Sequence, residues 1–218
     1  MGNKLIVIEG LDGGGKTTQI ELLKKDYPDF RFITFPNYDS PSGQIVSNYL
    51  KGAYSDENPS VSAYTASCFY AVDRYTSFKT DWEKDYLSGK TIISARYVSS
   101  NAIYQMAKLP ADEWEGYMDW LFDTEYNKFG IPKPSATIFL DMPPEVSRQL
   151  LLKRNNGDAG KLDIHEGNLH FMNDCRKSAL YLAKKENWDI ISCAENGSPI
   201  SIEEIHKALI EKIEGLLK

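Results

Sequence analysis

Only three cysteines occur in the chain, Cys68, Cys175 and Cys193, far apart and without a C-x-x-C pair. That odd, scattered set excludes a disulfide framework and a thiolate metal site; buried free thiols in a reducing compartment are expected. The three histidines, His165, His170 and His206, are equally dispersed and form no metal cluster. No apolar run reaches the roughly 18 residues of a membrane span, and no charged-then-apolar leader precedes the first strand-like run, so a soluble cytoplasmic protein is expected. Basic residues are in deficit: 25 Lys and Arg against 31 Asp and Glu give a net charge of −6. A nucleic-acid partner or an anionic membrane is therefore not expected, and any positive patch should be local. There are no repeats and no low-complexity segment. The 218 residues fit one α/β domain, with room for a small lid.

What is present is concentrated near the start. An apolar β-run at 5–8 leads into Gly-Leu-Asp-Gly-Gly-Gly-Lys-Thr-Thr, and a helix-favouring stretch leads out. Gly10, Gly15, Lys16 and Thr17 satisfy G-x-x-x-x-G-K-[ST], the phosphate-binding loop, in the strand–loop–helix setting it requires. The backbone of Gly10, Gly13, Gly14 and Gly15, with Thr18, can close around the polyphosphate of ATP, while the following helix points its positive end at the same charge. Lys16 would neutralise β/γ-phosphate oxygens, and Thr17 is the expected ligand for Mg2+.

Strand-like runs recur at 5–8, 30–34, 91–94, 136–141 and 189–193. Helical spacing fills 17–26, 43–52, 60–88, 99–108, 112–129, 144–153, 166–187 and 201–217. Alternation of this kind implies right-handed crossovers and a parallel sheet covered on both faces, with functional residues beyond the carboxyl ends of the strands. The expected fold is the three-layer P-loop NTPase architecture: a five-stranded parallel sheet flanked by helices, in a single domain over 1–218. The polar, Gly-rich stretch 155–161 reads as part of a lid at about 153–166 or as an ordinary solvent loop.

Further segments stand at strand ends: Phe35-Pro36-Asn37-Tyr38, then Phe69-Tyr70-Ala71-Val72-Asp73-Arg74 in a helix, then Arg96-Tyr97-Val98-Ser99-Ser100-Asn101, and Lys133-Pro134 before the fourth strand. In this order behind the loop the chain resembles thymidylate kinases, which phosphorylate dTMP with ATP. The resemblance runs essentially end to end. It implies that Tyr70 stacks on thymine, Arg74 contacts a base carbonyl, and Asn101, beside Ser100, reads the N3 edge. It places Asp12 on the deoxyribose 3′-hydroxyl, Tyr104 against the sugar 2′ position, and Arg96 and Tyr38 on the acceptor phosphate. It puts Arg154 over the donor nucleotide, Asp163, His165 and Glu166 near the acceptor, adenine against the 192–198 loop, and the chain in a homodimer through apolar residues of 60–75 and 99–106. Taken singly, Tyr70 could be core, Arg74 a surface ion pair with Asp73 or a neighbour, Asp12 a solvated carboxylate, and the apolar residues of the two helices plain core.

Gly14, often serine or alanine in such loops, and His165, often tyrosine, are mild departures from the family pattern, and two others bear on the chemistry. Gly13 stands where some members carry a loop arginine, so Arg154, with Lys153 or Lys161, is the expected cation over the transferred phosphate. Ala95 stands where the family has the aspartate of Asp-Arg, which organises the Mg2+ waters. With Lys16, Arg96 and Arg154 retained as catalytic residues, the expectation is a dTMP kinase of reduced turnover. The alternatives are an impaired nucleotide-binding homologue and a kinase for another (deoxy)nucleoside monophosphate. A guanine-reading Asn/Thr-Lys-x-Asp segment, which a GTPase switch would need, is absent.

Overall fold

A computed structural model describes residues 4–54, 61–154 and 168–217, with the side chain of Arg154 also outside the description. Strand β1 (Leu5–Gly10) is buried along its whole length because it is the middle of a five-stranded sheet. Such two-sided burial requires an unbroken apolar run rather than an alternating one. Its neighbours are β3 (Ile92–Ala95) and β4 (Ala136–Asp141), with β2 (Arg31–Thr34) and β5 (Asp189–Ser192) at the edges; the order is β2-β3-β1-β4-β5 and every pair is parallel. In register, Ile8 faces Ala95 and Gly10 faces Leu140. The exits of the three central strands therefore open side by side.

The pleat sends alternate β1 side chains into two cores. Leu5 and Val7 join Ile103, Phe139, Cys175 and Leu182 on one face; Ile6 and Ile8 join Ile20, Leu23, Leu209 and Ile213 on the other. The first face is covered by α3 (Ala63–Ser77), α5 (Val98–Met106), α6 (Trp114–Phe122) and α8 (Leu169–Lys185), the second by α1 (Lys16–Asp26), α7 (Pro144–Arg154) and α9 (Ile202–Leu217). Each fully buried Leu or Ile contributes about 1.5–3 kcal/mol.

Side-chain caps set the starts of three helices, with Ser40 before α2 (Pro41–Leu50), Ser62 before α3 and Asn168 before α8. Helix α2 begins before the expected position 43, because Ser40 accepts from the Gly43 amide at 2.9 Å and Pro41 is pre-set for the first turn. The long helical stretches are also interrupted. After α3 the chain makes a π-helical segment, Phe78–Trp82, before α4 (Glu83–Leu87); a 3₁₀ turn, Ala111–Glu113, precedes α6 and a second π segment, Asp123–Lys128, follows it. Beyond β5 a short hairpin, β6 (Ala194–Glu195) with β7 (Ser198–Pro199), occupies what reads in sequence as a loop.

Cys175 and Cys193 are buried as expected, whereas Cys68 is exposed on α3, where its neighbours four residues either side, Tyr64 and Val72, are partly exposed too. Helix α5 is core: Val98, Ala102, Ile103 and Met106 have no exposed surface. Among the described residues, no helix is long and apolar enough to cross a membrane.

Candidate active site

The loop after β1 closes with the Gly14 amide on the Leu11 carbonyl (3.1 Å), and Gly15, in the left-handed region (φ 85°), turns the chain into α1. No side chain caps that helix and no acidic residue stands in its first turn, so its amides and positive end face the cleft. Gly13 also has positive φ (72°), and a Cβ there would lie 2.8 Å from the Leu151 side chain. Any side chain at position 13 is opposed here by backbone conformation and by α7.

Lys16 is buried, and its Nζ donates to the Gly10 (2.7 Å) and Leu11 (2.8 Å) carbonyls. Burial, followed by the nearby Arg96 charge, pulls its pKa from the ordinary lysine value down to about 7, with Asp12 and Glu9 opposing.

Arg96 follows β3 with φ 67°, a conformation uncommon outside glycine. The turn is fixed by three contacts: Ser94 Oγ donates to the Arg96 carbonyl (2.6 Å), the Arg96 amide donates to Ile8 (3.2 Å), and the Tyr97 amide donates to Glu9 (3.2 Å). The guanidinium pairs with Asp12 and lies over the Tyr104 ring, 5.3 Å from its centroid. Tyr104 in turn donates to the other Asp12 oxygen at 2.7 Å. Burial would lower the Arg96 pKa, but Asp12, Tyr104 and Glu9 hold it well above the ordinary value.

Glu9 was not legible as a site residue. It has no exposed surface and accepts from Ser99 Oγ (2.6 Å), from Ser100 Oγ at both oxygens (2.8 and 2.9 Å) and from the Tyr97 amide. A carboxylate inside an otherwise apolar central strand must be compensated, and that is the signal that could have found it.

Two clefts open above the sheet. One is lined by Gly13 to Ile20, Ala95, Leu151 and Pro199 to Ile202; the other by Phe35, Pro36, Tyr38, Tyr70, Arg74, Ser100, Asn101 and Tyr104. Among the described residues, Asp12 and Arg96 alone line both. Thr17 and Thr18 are exposed on the phosphate side. The 192–198 segment folds into the hairpin, and the cleft wall comes from the residues just after it.

In the second cleft Tyr70 lies edge-on to Tyr49 (6.3 Å) and Tyr38 is 46% exposed. Arg74 is not a surface ion pair with Asp73. It is buried, and its Nε and Nη2 fork onto Glu125, each at 2.6 Å. Burial acts against its charge, but Glu125 offsets this and raises its pKa above the ordinary value. Asp73 instead accepts from the Asn37 amide and from Ser40 and Ser42, fastening the turn before α2. Arg154 closes α7 and its side chain lies outside the described residues, as do Lys161, Asp163, His165, Glu166 and the rest of the expected lid from 155. Among the described residues, no group of three or more His, Cys, Asp or Glu could hold a metal.

Comparison with known proteins agrees with this geometry. The family model described as Thymidylate kinase matches residues 8–208. A probable thymidylate kinase of Pyrobaculum aerophilum is 29% identical over 91% of this chain and 92% of its own. The thymidylate kinase of Mycobacterium tuberculosis strain H37Rv is 30% identical over 72% and 74%. A solved thymidylate kinase from Candida albicans superposes with a TM-score of 0.72 at 24% identity, covering 98% of this chain and 92% of that one, which speaks to the fold.

Proposed function

The chain belongs to the thymidylate kinase family, and on that premise we propose that it transfers the γ-phosphate of ATP to dTMP, giving ADP and dTDP, where the two clefts meet. The observation that carries this is the shared Asp12–Arg96 pair: an arginine fork and a carboxylate form the wall between a phosphate loop and an aromatic-lined pocket. ATP lies along Gly10 to Thr18, with adenine toward Pro199 to Ile202. dTMP lies in the second cleft, its base on Tyr70 with Arg74 and Asn101 at the edge, its sugar against Asp12 and Tyr104, and its phosphate on Arg96, Tyr38 and Ser100.

No general base is needed, because the attacking oxygen of a nucleoside monophosphate is already anionic. Rate comes from in-line positioning and charge neutralisation by Lys16, Arg96 and a lid cation such as Arg154, with Asp163, His165 and Glu166 over the acceptor. Mg2+ fits this donor set. Thr17 opens onto the phosphate cleft, and Mg2+ takes few protein ligands, keeping phosphate and water oxygens. Bound there, it would neutralise charge on the β- and γ-phosphates. Glu9 lines neither cleft and is held by Ser99, Ser100 and the Tyr97 amide, so it is not placed to act as its ligand.

Ala95 lines the phosphate cleft without an oxygen to offer, so turnover is reduced relative to family members with aspartate there. The partly exposed stripe Tyr64, Val72 and Tyr75 on α3 supports a homodimer, to be read by light scattering. The reaction itself is tested by ADP release with dTMP, dUMP, dGMP and thymidine, with and without Mg2+. Release with dTMP and Mg2+ supports the proposal; binding of both nucleotides without ADP would identify the impaired homologue, and preference for another acceptor a different kinase.

A further inference from the structure

Glu125 plays no part in the chemistry above, yet it is a carboxylate without exposed surface directly behind the acceptor cleft. It sits in the π segment Asp123–Lys128 and holds two residues that line that cleft. Arg74 spends Nε–H and one Nη2 hydrogen on it and one Nη1 hydrogen on the Tyr97 carbonyl at 3.4 Å, which leaves the second hydrogens of Nη1 and Nη2 for a ligand. Asn101 turns Nδ2 toward the Ser67 carbonyl (3.1 Å) and toward Glu125 Oε1 (3.5 Å). A carbonyl and a carboxylate only accept, so the amide cannot reverse without facing acceptor to acceptor. Its Oδ1 is thereby committed to the cleft. Beside Tyr70 the wall thus displays the remaining Arg74 N–H donors and one acceptor, Asn101 Oδ1.

A thymine or uracil edge offers the complement, an N3–H donor beside an O4 acceptor, whereas cytosine offers an N3 acceptor beside an N4 donor. We infer that Glu125 is a specificity-determining positioning residue, which locks Asn101 and Arg74 in the orientation that receives a thymine or uracil edge and refuses cytosine. The inference rests on the proposed placement of the acceptor base. An arginine free to swing and an amide free to flip could serve either edge, so discrimination would reside in the buried carboxylate that fixes Arg74 and, with the Ser67 carbonyl, orients Asn101.

The test compares kcat/KM for dTMP and dCMP in the full-length protein and in Glu125→Gln, with ATP affinity and thermal melting measured alongside. Glu125→Gln removes the charge that holds the Arg74 fork and weakens one of the two acceptors that orient Asn101 Nδ2, so both edge-reading groups are loosened. The dTMP-to-dCMP ratio should fall by about tenfold or more, the scale of one mispaired buried polar group, while ATP affinity stays within about twofold. A lowered melting temperature with an unchanged ratio would make Glu125 merely structural and overturn the inference. Glu125→Asp keeps a buried charge opposite Arg74 but draws it back from both Arg74 and Asn101 by one methylene. It should lose part of the ratio without a large change in melting, and it decides the matter if Glu125→Gln does not fold; an unchanged ratio in it overturns the inference. If the unmodified protein phosphorylates neither nucleotide, the acceptor reading itself fails, and that is seen before any variant is compared.

Discussion

Binding of ATP should draw a proton onto Lys16. In the free protein the ammonium is buried beside Arg96 and its pKa is held down at about 7. A triphosphate at the same loop supplies several negative charges within reach, which restores lysine to its ordinary range or above. At pH 8 a group of pKa about 7 is about nine-tenths neutral, so saturation with MgATP should take up about 0.9 proton; at pH 7 the uptake is about 0.5 and at pH 6 about 0.1. The full shift back to 10.5 corresponds to on the order of 5 kcal/mol of coupling between phosphate and proton.

The assay is calorimetric titration at pH 8 in buffers of different ionisation enthalpy, whose slope counts protons. Affinity for ATP should weaken as pH rises above 7, approaching about tenfold per unit until lysine's ordinary value is reached. Without nucleotide the sign is set by the unfolded chain, which binds more protons than the folded one between pH 7 and 10.5, so stability climbs with pH across that window. A slope of zero at pH 8, or an undiminished slope in Lys16→Met, would refute the reasoning.

Three further outcomes follow from the same geometry. Ala95→Asp should raise kcat by on the order of tenfold with little change in ATP affinity, since it adds an oxygen to the phosphate cleft; an unchanged kcat in initial-rate assays would contradict the proposal that Ala95 limits turnover. Lys16→Ala should lower kcat by about 100-fold or more while the dTMP dissociation constant moves less than about threefold, because the amine lies on the donor side of Asp12; equal losses would contradict the division of the clefts. Gly13→Ala should cost about 1–3 kcal/mol in denaturant unfolding, given its positive φ and the Leu151 side chain 2.8 Å from the added Cβ. A neutral result would show that α7 yields at that contact.

The parts of the molecule legible in the chain are those governed by short-range pattern. The apolar runs locate all five strands of the main sheet, most clearly the central β1, β3 and β4, which as buried parallel strands need no alternation. The phosphate loop and Arg96 are local motifs at strand ends. What escaped is governed by contacts across the chain. Glu9 lies just past the apolar run 5–8 and Glu125 within the helical stretch 112–129, and only the fold sets them against Ser99, Ser100 and Arg74. The π segments that carry Trp82 and Glu125 break the 3.6-residue period on which helix reading depends. Arg74 was visible as a residue type, but its partner, 51 positions away, was not. The start of α2 was missed although its signal, Ser40 before Pro41, was in the chain.

The shared crevice is tested most directly with a single ligand that joins adenosine to thymidine through five phosphates. It should bind one per chain, compete with both ATP and dTMP, and bind about 100-fold more tightly than either alone, because one linker satisfies both clefts at once. Competition with only one nucleotide, or no gain over the tighter of the two, would mean that the clefts do not meet at Asp12 and Arg96.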